Sequence, residues 1–338
     1  MATAMNVYFT LDYELFLGEK TGTPENCLIR PMDELCKVAD KHHFKYVIFV
    51  DATYLLRMQQ LKGRYKEVDR QFDLVSNHVK SLAEQGHDIE LHFHPQWLYS
   101  DWDDKAQQWR MDRDHYKLSD MPLADAKKYL REAKELLDGI VGYKTIAYRA
   151  GGFCLNEFED FKEIFKELGL KVDSSVARYS HISSKVHYYD YRRIPKEQIY
   201  TFSNSIKEKD DKGEFTEYSI TGFKFTPWNY QTKIRPIKLS SNKSQSYGDG
   251  KVISDKQNII VHKIKSLFRL FAQLASIDGG SSNLMEIYYD KAVNSGYTDL
   301  IMIGHPKNTT DLELERIDSF LCCHRDTVVK TIRGFVSE

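Results

Sequence analysis

The sequence predicts an α/β fold of the (β/α) barrel type that carries an irregular insertion. Three observations predict it. Short β-branched and aromatic runs alternate with amphipathic helical stretches, as parallel strands joined by helical crossovers do. Several of those runs end in polar side chains, where the strand C-termini of a barrel deliver functional groups. The chain of 338 residues, 41% hydrophobic and 13% aromatic, has enough apolar material for one large domain.

In chain order, residues 6–11 (NVYFTL), 46–50 (YVIFV), 88–94 (DIELHFH), 144–149 (KTIAYR) and 299–303 (DLIMI) read as strands. Helices are expected over 31–43, 67–85, 122–138 and 156–168. Asn156 is placed to cap the last of these, with Glu159 in the capping-box position and Gly169 closing the C-terminus. Gly86 likewise ends the 67–85 helix and turns the chain into the next strand. From about 186 to 258 the chain is rich in Tyr, Lys, Ser and Asn. It reads as irregular strands plus a surface insertion at about 200–258, all within a single domain spanning 1–338.

Charge is segregated along the chain. Residues 233–269 hold nine Lys or Arg against two Asp. Ile264, Leu267, Phe268, Phe271 and Leu274 follow helical spacing, with Lys263, Lys265 and Arg269 on the other side. The plainer expectation is a helix packed on the barrel with a solvated basic face. The alternative is weak contact with an anionic membrane surface, or a platform for a phosphate-bearing substrate.

Other function classes are disfavoured. A formal net charge of -1 gives no global basic field, so no nucleic-acid partner is expected. Charges interrupt every apolar run before the roughly 20 residues of a membrane span, so no transmembrane segment is expected. The opening MATAMNVYFTLDYE lacks the basic and apolar regions of an export leader, and a cytoplasmic location is the expectation. Cys27, Cys36, Cys154, Cys322 and Cys323 lack the paired spacing of a disulfide framework or zinc ribbon and read as reduced, mostly structural thiols.

The chemistry concentrates in a few segments. In GHDIELHFHPQW, strand alternation sends Glu90, His92 and His94 to one face and Ile89, Leu91 and Phe93 to the other. Two imidazoles on one face, with a third ligand from elsewhere, can chelate zinc or a similar divalent ion. The first strand ends in TLDYE, presenting Asp12 and Glu14; another ends in YRAGG, presenting Arg149; the last ends in IMIGHP, presenting His305. All these groups then emerge on one rim.

TLDYE, GHDIELHFHP, YRAGG, KVDSS and GHP resemble, in order, the five motifs of the polysaccharide deacetylases, carbohydrate esterase family four, and span Asp12 to His305. The HFHPQW form is most similar to the cytoplasmic branch associated with sugar-polymer biosynthesis. The resemblance implies a distorted barrel of 7–8 strands, a divalent metal that is usually zinc, and removal of an N-acetyl or related acyl group from a sugar. The implied setting is surface polysaccharide biosynthesis, and the implied partner is a carbohydrate, free or nucleotide- or lipid-linked. Two departures stand out. The family's first motif is TFDDG, whereas Tyr13 holds the second Asp position here, so Glu14 is expected to replace it as ligand. The family's histidines lie four apart, whereas the fourth position after His92 is Gln96, with His94 between.

The roles that follow by resemblance are metal ligation by Glu14, His92 and His94, with Gln96 in place of His94 and Asp12 in place of Glu14 left open. Asp12 is the expected base, held ionised by Arg149. His305 is the expected acid, tuned by Asp173. Trp97 and Tyr148 are the expected substrate-binding residues; Trp97 would stack on a pyranose face, or else belong to the core. Glu90 is a candidate to orient the histidines. Two other readings stay open: another amide or glycoside hydrolase on the same barrel, or a catalytically inactive sugar-binding protein.

Overall fold

Eight strands form one mixed sheet that curls nearly shut. They are β1 Asn6–Tyr13, β2 Val47–Asp51, β3 Asp88–Phe93, β4 Ala147–Ala150, β5 Val172–Asp173, β6 Ile199–Phe202, β7 Phe215–Tyr218 and β8 Asp299–Gly304. This is a computed structural model that describes residues 5–240, 245–252 and 271–336. The spatial order is β6-β7-β5-β4-β3-β2-β1-β8, parallel throughout except for the β6–β7 pair, and Val328–Val329 adds a short parallel strand beside the start of β1. The seam is closed by the chain just after β7. Ile220 bridges Ala177, and the Thr221 N–H donates to the Ile301 carbonyl at 3.0 Å.

The strands are buried along almost their whole length on both faces, as parallel strands with helices outside and side chains within must be. Inside the barrel, Tyr8, Val47, Phe49, Ala147, Val172, Tyr218 and Ile301 form a separate apolar cluster that fills the lower half. The outer faces pack against helices α1 Arg30–Lys41, α2 Ala52–Gln60, α3 Lys66–Glu84, α4 Leu123–Val141, α5 Phe158–Leu168, α6 Met285–Asn294 and α7 Asp311–Cys323. The barrel expected from the sequence is therefore the fold observed, and the five strands and four helices read from the sequence fall within a few residues of β1–β4, β8, α1 and α3–α5. No helix among the described residues is long and apolar enough to cross a membrane.

Local expectations divide. Gly169 does close α5 in the left-handed region, at φ 71°. Asn156, however, does not cap that helix. Its side-chain amide donates to the Tyr188 carbonyl at 2.9 Å, and α5 starts at Phe158 with no side-chain cap. The helix expected through Ile264 to Leu274 is not continued at its end. Phe271–Leu274 is a strand, antiparallel to Gly222–Phe225, with the Phe271 ring stacked on Tyr230 at 4.2 Å. Pairing with an apolar neighbour strand outweighs helical spacing there. Lys263, Lys265 and Arg269, on which the basic-face reading rests, lie outside the described residues, as do Ile264, Leu267 and Phe268.

Candidate active site

Alternation along β1 turns Thr10 and Asp12 into the barrel and Tyr13 out of it. The Tyr13 hydroxyl meets His78 Nδ1 of α3 at 2.7 Å, so the residue that departs from the family motif is a packing residue, and Glu14 is the next carboxylate at the rim. On β3 and just beyond it, His92 and His94 reach the same point. Glu14 Oε2 lies 2.5 Å from His94 Nε2 and 3.2 Å from His92 Nε2, and the two Nε2 atoms are 3.0 Å apart. Gln96, the other candidate, sits in the short helix Gln96–Tyr99 and does not line the cavity these groups face.

The supports of this trio differ. His92 Nδ1 lies 2.8 Å from the Arg149 carbonyl, which requires its proton on Nδ1 and, in a neutral ring, leaves the Nε2 lone pair facing Glu14 and His94. His94 is held through its main-chain N–H, which donates to Thr53 Oγ1 at 2.9 Å, and by close packing on the YRAGG turn. A Cβ at Gly151 would lie 2.6 Å from His94 Nδ1, and one at Gly152, whose φ is +56°, would lie 2.5 Å from the Tyr116 ring. Those two glycines let the turn approach the histidines and the cavity wall.

Asp12 sits beside the trio. Its Oδ1 accepts from Arg149 Nη1 at 2.5 Å, leaving Oδ2 toward His92 Nε2 (3.9 Å) and His305 Nε2 (3.7 Å). Arg149 is 0% exposed, and each of its three nitrogens has a hydrogen-bond partner. It donates to Thr10 Oγ1 and to the Ser174 hydroxyl and carbonyl at 2.8–2.9 Å, and its guanidinium lies 4.0 Å above the Phe49 ring. Burial opposes ionisation of Asp12, but Arg149, His92 and His305 outweigh it and hold the carboxyl below its usual value. Burial likewise opposes ionisation of Glu14, and Lys307 and His94 outweigh it, holding Glu14 well below the usual value. Both rim carboxylates are thus anions.

Two residues that sequence reasoning passed over complete the rim. Lys307 Nζ donates to Glu14 Oε1 at 2.7 Å and to the Leu15 carbonyl at 3.0 Å. Asp278 grips His305 twice, at Nδ1 and at the main-chain N–H, both at 2.7 Å. Burial pushes the His305 pKa down, but Asp278, Asp12 and Glu14 together raise it above the ordinary value. The signal for Lys307 was its position two residues beyond His305 at the same strand end; Asp278 carried no signal beyond a turn-like SIDGG.

Other expected residues lie elsewhere. Asp173 does not reach His305. Its carboxylate accepts from the Ser175 hydroxyl at 2.7 Å and neighbours Glu217 on β7, and Ser175 in turn accepts from Ala150 N–H, so Asp173 braces the Arg149 strand. Trp97 is buried outside the cavity, with Nε1 donating to Asp51 Oδ2 at 2.7 Å and its rings against Tyr54 and Trp109. Tyr148 points away from the barrel interior because its neighbour Arg149 points into it, and it packs on Phe165 of α5. Glu90 lies one strand repeat below His92 and turns to the neighbouring strand instead, accepting from the Ile146 and Ala147 N–H groups at 2.7 Å. In place of Trp97 and Tyr148, the cavity of about 260 Å³ is walled by Leu17, Tyr116, Phe153, Ile182, His187 and Tyr189, above Asp12, Glu14, His92, His94, His305 and Lys307.

The donor set fits a divalent ion. Glu14, His92 and His94 offer one oxygen and two nitrogens within 4.8 Å of one another. The Glu14–His92 and His92–His94 separations, 3.2 and 3.0 Å, approach the ~3.3 Å between neighbouring ligands of a tetrahedral ion with ~2.0 Å bonds, and Glu14 and His94 lie closer, at 2.5 Å. Although burial lowers the His92 pKa, Asp12 and Glu14 raise it to about 9, so the field at this point favours a cation. Nitrogen and carboxylate donors suit zinc and its neighbours rather than calcium.

No family model matches the chain, and no curated protein matches it. Among solved structures, a protein described as a polysaccharide deacetylase from Mycobacterium smegmatis aligns with a TM-score of 0.54 at 13% identity, over 100% of this chain and 90% of its own. A GH57 branching enzyme from Thermococcus kodakaraensis aligns with a TM-score of 0.51 at 10% identity, over 100% of this chain and 71% of its own. At these identities the likeness is one of fold.

Proposed function

We propose that this chain is a metal-dependent member of the polysaccharide deacetylase family that removes an N-acetyl or related acyl group from a sugar, with surface-polysaccharide assembly as its setting. The observation that carries the proposal is the convergence of Glu14, His92 and His94 beside the Asp12–Arg149 and His305–Asp278 pairs in one cavity.

Hydrolysis of an amide needs an activated water, a stabilised carbonyl oxygen and a proton for the leaving nitrogen. A divalent ion held by Glu14, His92 and His94 would supply electrophilic polarisation of the acyl carbonyl and lower the pKa of water toward ~7. Arg149 fixes one oxygen of Asp12 and keeps it ionised, so the other is free to accept the proton of the attacking water. His305, held by Asp278 and facing Asp12 and Glu14 at 3.7 and 3.8 Å, presents Nε2–H to the departing amine. Lys307 fixes the outer oxygen of Glu14, leaving Oε2 for the histidine side. The aromatic wall of Tyr116, Phe153 and Tyr189 suits the apolar face of a pyranose, and the cavity has room for about one sugar ring.

The glycoside-hydrolase alternative gains from the branching enzyme that shares the fold. That chemistry requires one carboxylic acid kept protonated by a raised pKa beside a carboxylate. Both carboxyls of the cavity, Asp12 and Glu14, are instead held below their ordinary values, which favours amide hydrolysis. The test is free acetate. With zinc supplied, acetate release is expected from an N-acetyl sugar, a nucleotide-linked N-acetyl sugar or an N-acetylated oligosaccharide. A glycosidic bond or a cyclic amide turned over while acetate never appears would overturn the proposal.

A further inference from the structure

The other end of the barrel holds a second set of convergent ligands. His42 follows α1, and Asp318 and Cys322 are four apart on α7, a spacing that puts both on one helix face. Their ligand atoms all lie within 4.8 Å of one another, with His42 Nε2 2.7 Å from Asp318 Oδ1. His42 and Cys322 edge a cavity of about 570 Å³ whose lining also includes Val328 and Val329, which pair with Asn6 and Val7 at the start of β1. His43 also lines this cavity and is within the same wall.

We propose that His42, Asp318 and Cys322 form a second metal site, distinct from the Glu14 trio, that takes a borderline-soft divalent ion such as zinc. One nitrogen, one oxygen and one sulfur donor exclude the hard, all-oxygen preference of magnesium and calcium and suit zinc, cobalt or cadmium. On binding, the Cys322 thiol gives its proton to solvent and coordinates as thiolate, and the cavity leaves room for a water or for His43 at the fourth position. Lys41 also reaches Asp318 at 2.5 Å, but its side chain is 61% exposed. An ion pair so exposed is weak, and a coordinating metal displaces it. The ion would pin the end of α1 to the end of α7, two elements that otherwise meet through the His42–Asp318 and Lys41–Asp318 contacts there.

Cobalt(II) reads this site independently of turnover, because only a thiolate ligand produces a sulfur-to-cobalt charge-transfer band in the near ultraviolet, and the Glu14, His92 and His94 site contains no sulfur. Metal-stripped, reduced full-length chain titrated with cobalt is expected to bind two ions and to show the band. Cys322→Ser is expected to bind one ion and lose the band, His42→Ala to weaken it at least tenfold in apparent affinity, and Cys323→Ser to behave as the parent. His92→Ala is expected to keep the band. A parent chain without the band, or a band that survives Cys322→Ser, overturns the second site. Loss of acetate release with the band intact counts against the proposed function alone.

Discussion

Asp278 binds His305 through both carboxylate oxygens, one on the ring Nδ1 and one on the main-chain N–H, each at 2.7 Å. This double grip fixes the tautomer with Nε2 facing the cavity, and it is the largest influence raising the His305 pKa against its burial. If His305 is the acid, it must be protonated to act. Asp278→Asn is therefore expected to shift the alkaline limb of kcat/KM to lower pH and to cut kcat by about 10–100-fold. Since a raised histidine pKa stabilises the fold below about 6.5 and loses that effect as pH rises through the raised value, the variant should also lose more thermal stability at pH 6 than at pH 9. An unmoved alkaline limb would remove His305 from the acid role.

Asp12 and His92 should separate chemistry from metal binding. Asp12→Asn is expected to abolish acetate release, a loss of at least about 100-fold, while zinc stoichiometry stays near the parent value. His92→Ala is expected to lose both, because it takes away the ligand whose orientation the Arg149 carbonyl fixes. Metal analysis of the two purified variants checks this; the reverse pattern would exchange their roles.

Arg149 and Asp12 form a buried pair, so removing the guanidinium strands a charge. Arg149→Met is expected to destabilise the chain by about 3–5 kcal/mol in denaturant unfolding. Arg149 is the largest influence lowering the Asp12 pKa against burial, so in whatever fraction folds the acid limb of the rate profile should move to higher pH. A parent-like acid limb would mean that Asp12 is not the base.

Gly151 tests the packing of His94. A methyl group there would come within 2.6 Å of His94 Nδ1 and 2.7 Å of the Phe93 carbonyl. Gly151→Ala is expected to weaken zinc binding by about 10–100-fold while the circular dichroism of the barrel persists. Unchanged zinc affinity would show that His94 is not a ligand.

Much of this rim was legible in the sequence, and the misses have physical causes. Asp12, Glu14, His92 and His305 sit at or just beyond the ends of long, apolar strands, and Arg149 near the end of a four-residue one, where period-2 alternation and the barrel rule locate side chains well. Tyr148 was assigned to the substrate although it neighbours Arg149, and alternation sends two adjacent strand residues to opposite faces. Trp97 lies past the end of its strand, where alternation no longer applies, and its indole N–H found a buried partner in Asp51. Asp173 occupies a two-residue strand, too short to show any periodicity. Asp278 and Lys307 depend on contacts across 27 and 293 residues that no local pattern encodes.

The apolar cluster of Tyr8, Val47, Phe49, Ala147, Val172, Tyr218 and Ile301 plugs the barrel directly beneath Arg149. The cavity above it is consequently a cul-de-sac. Under the proposed reaction, water, sugar and both products would share one doorway, and a carboxylate fragment released at the bottom would be trapped until the amino sugar above it departed. Acetate would then leave last, and adding it from outside should compete with the incoming sugar.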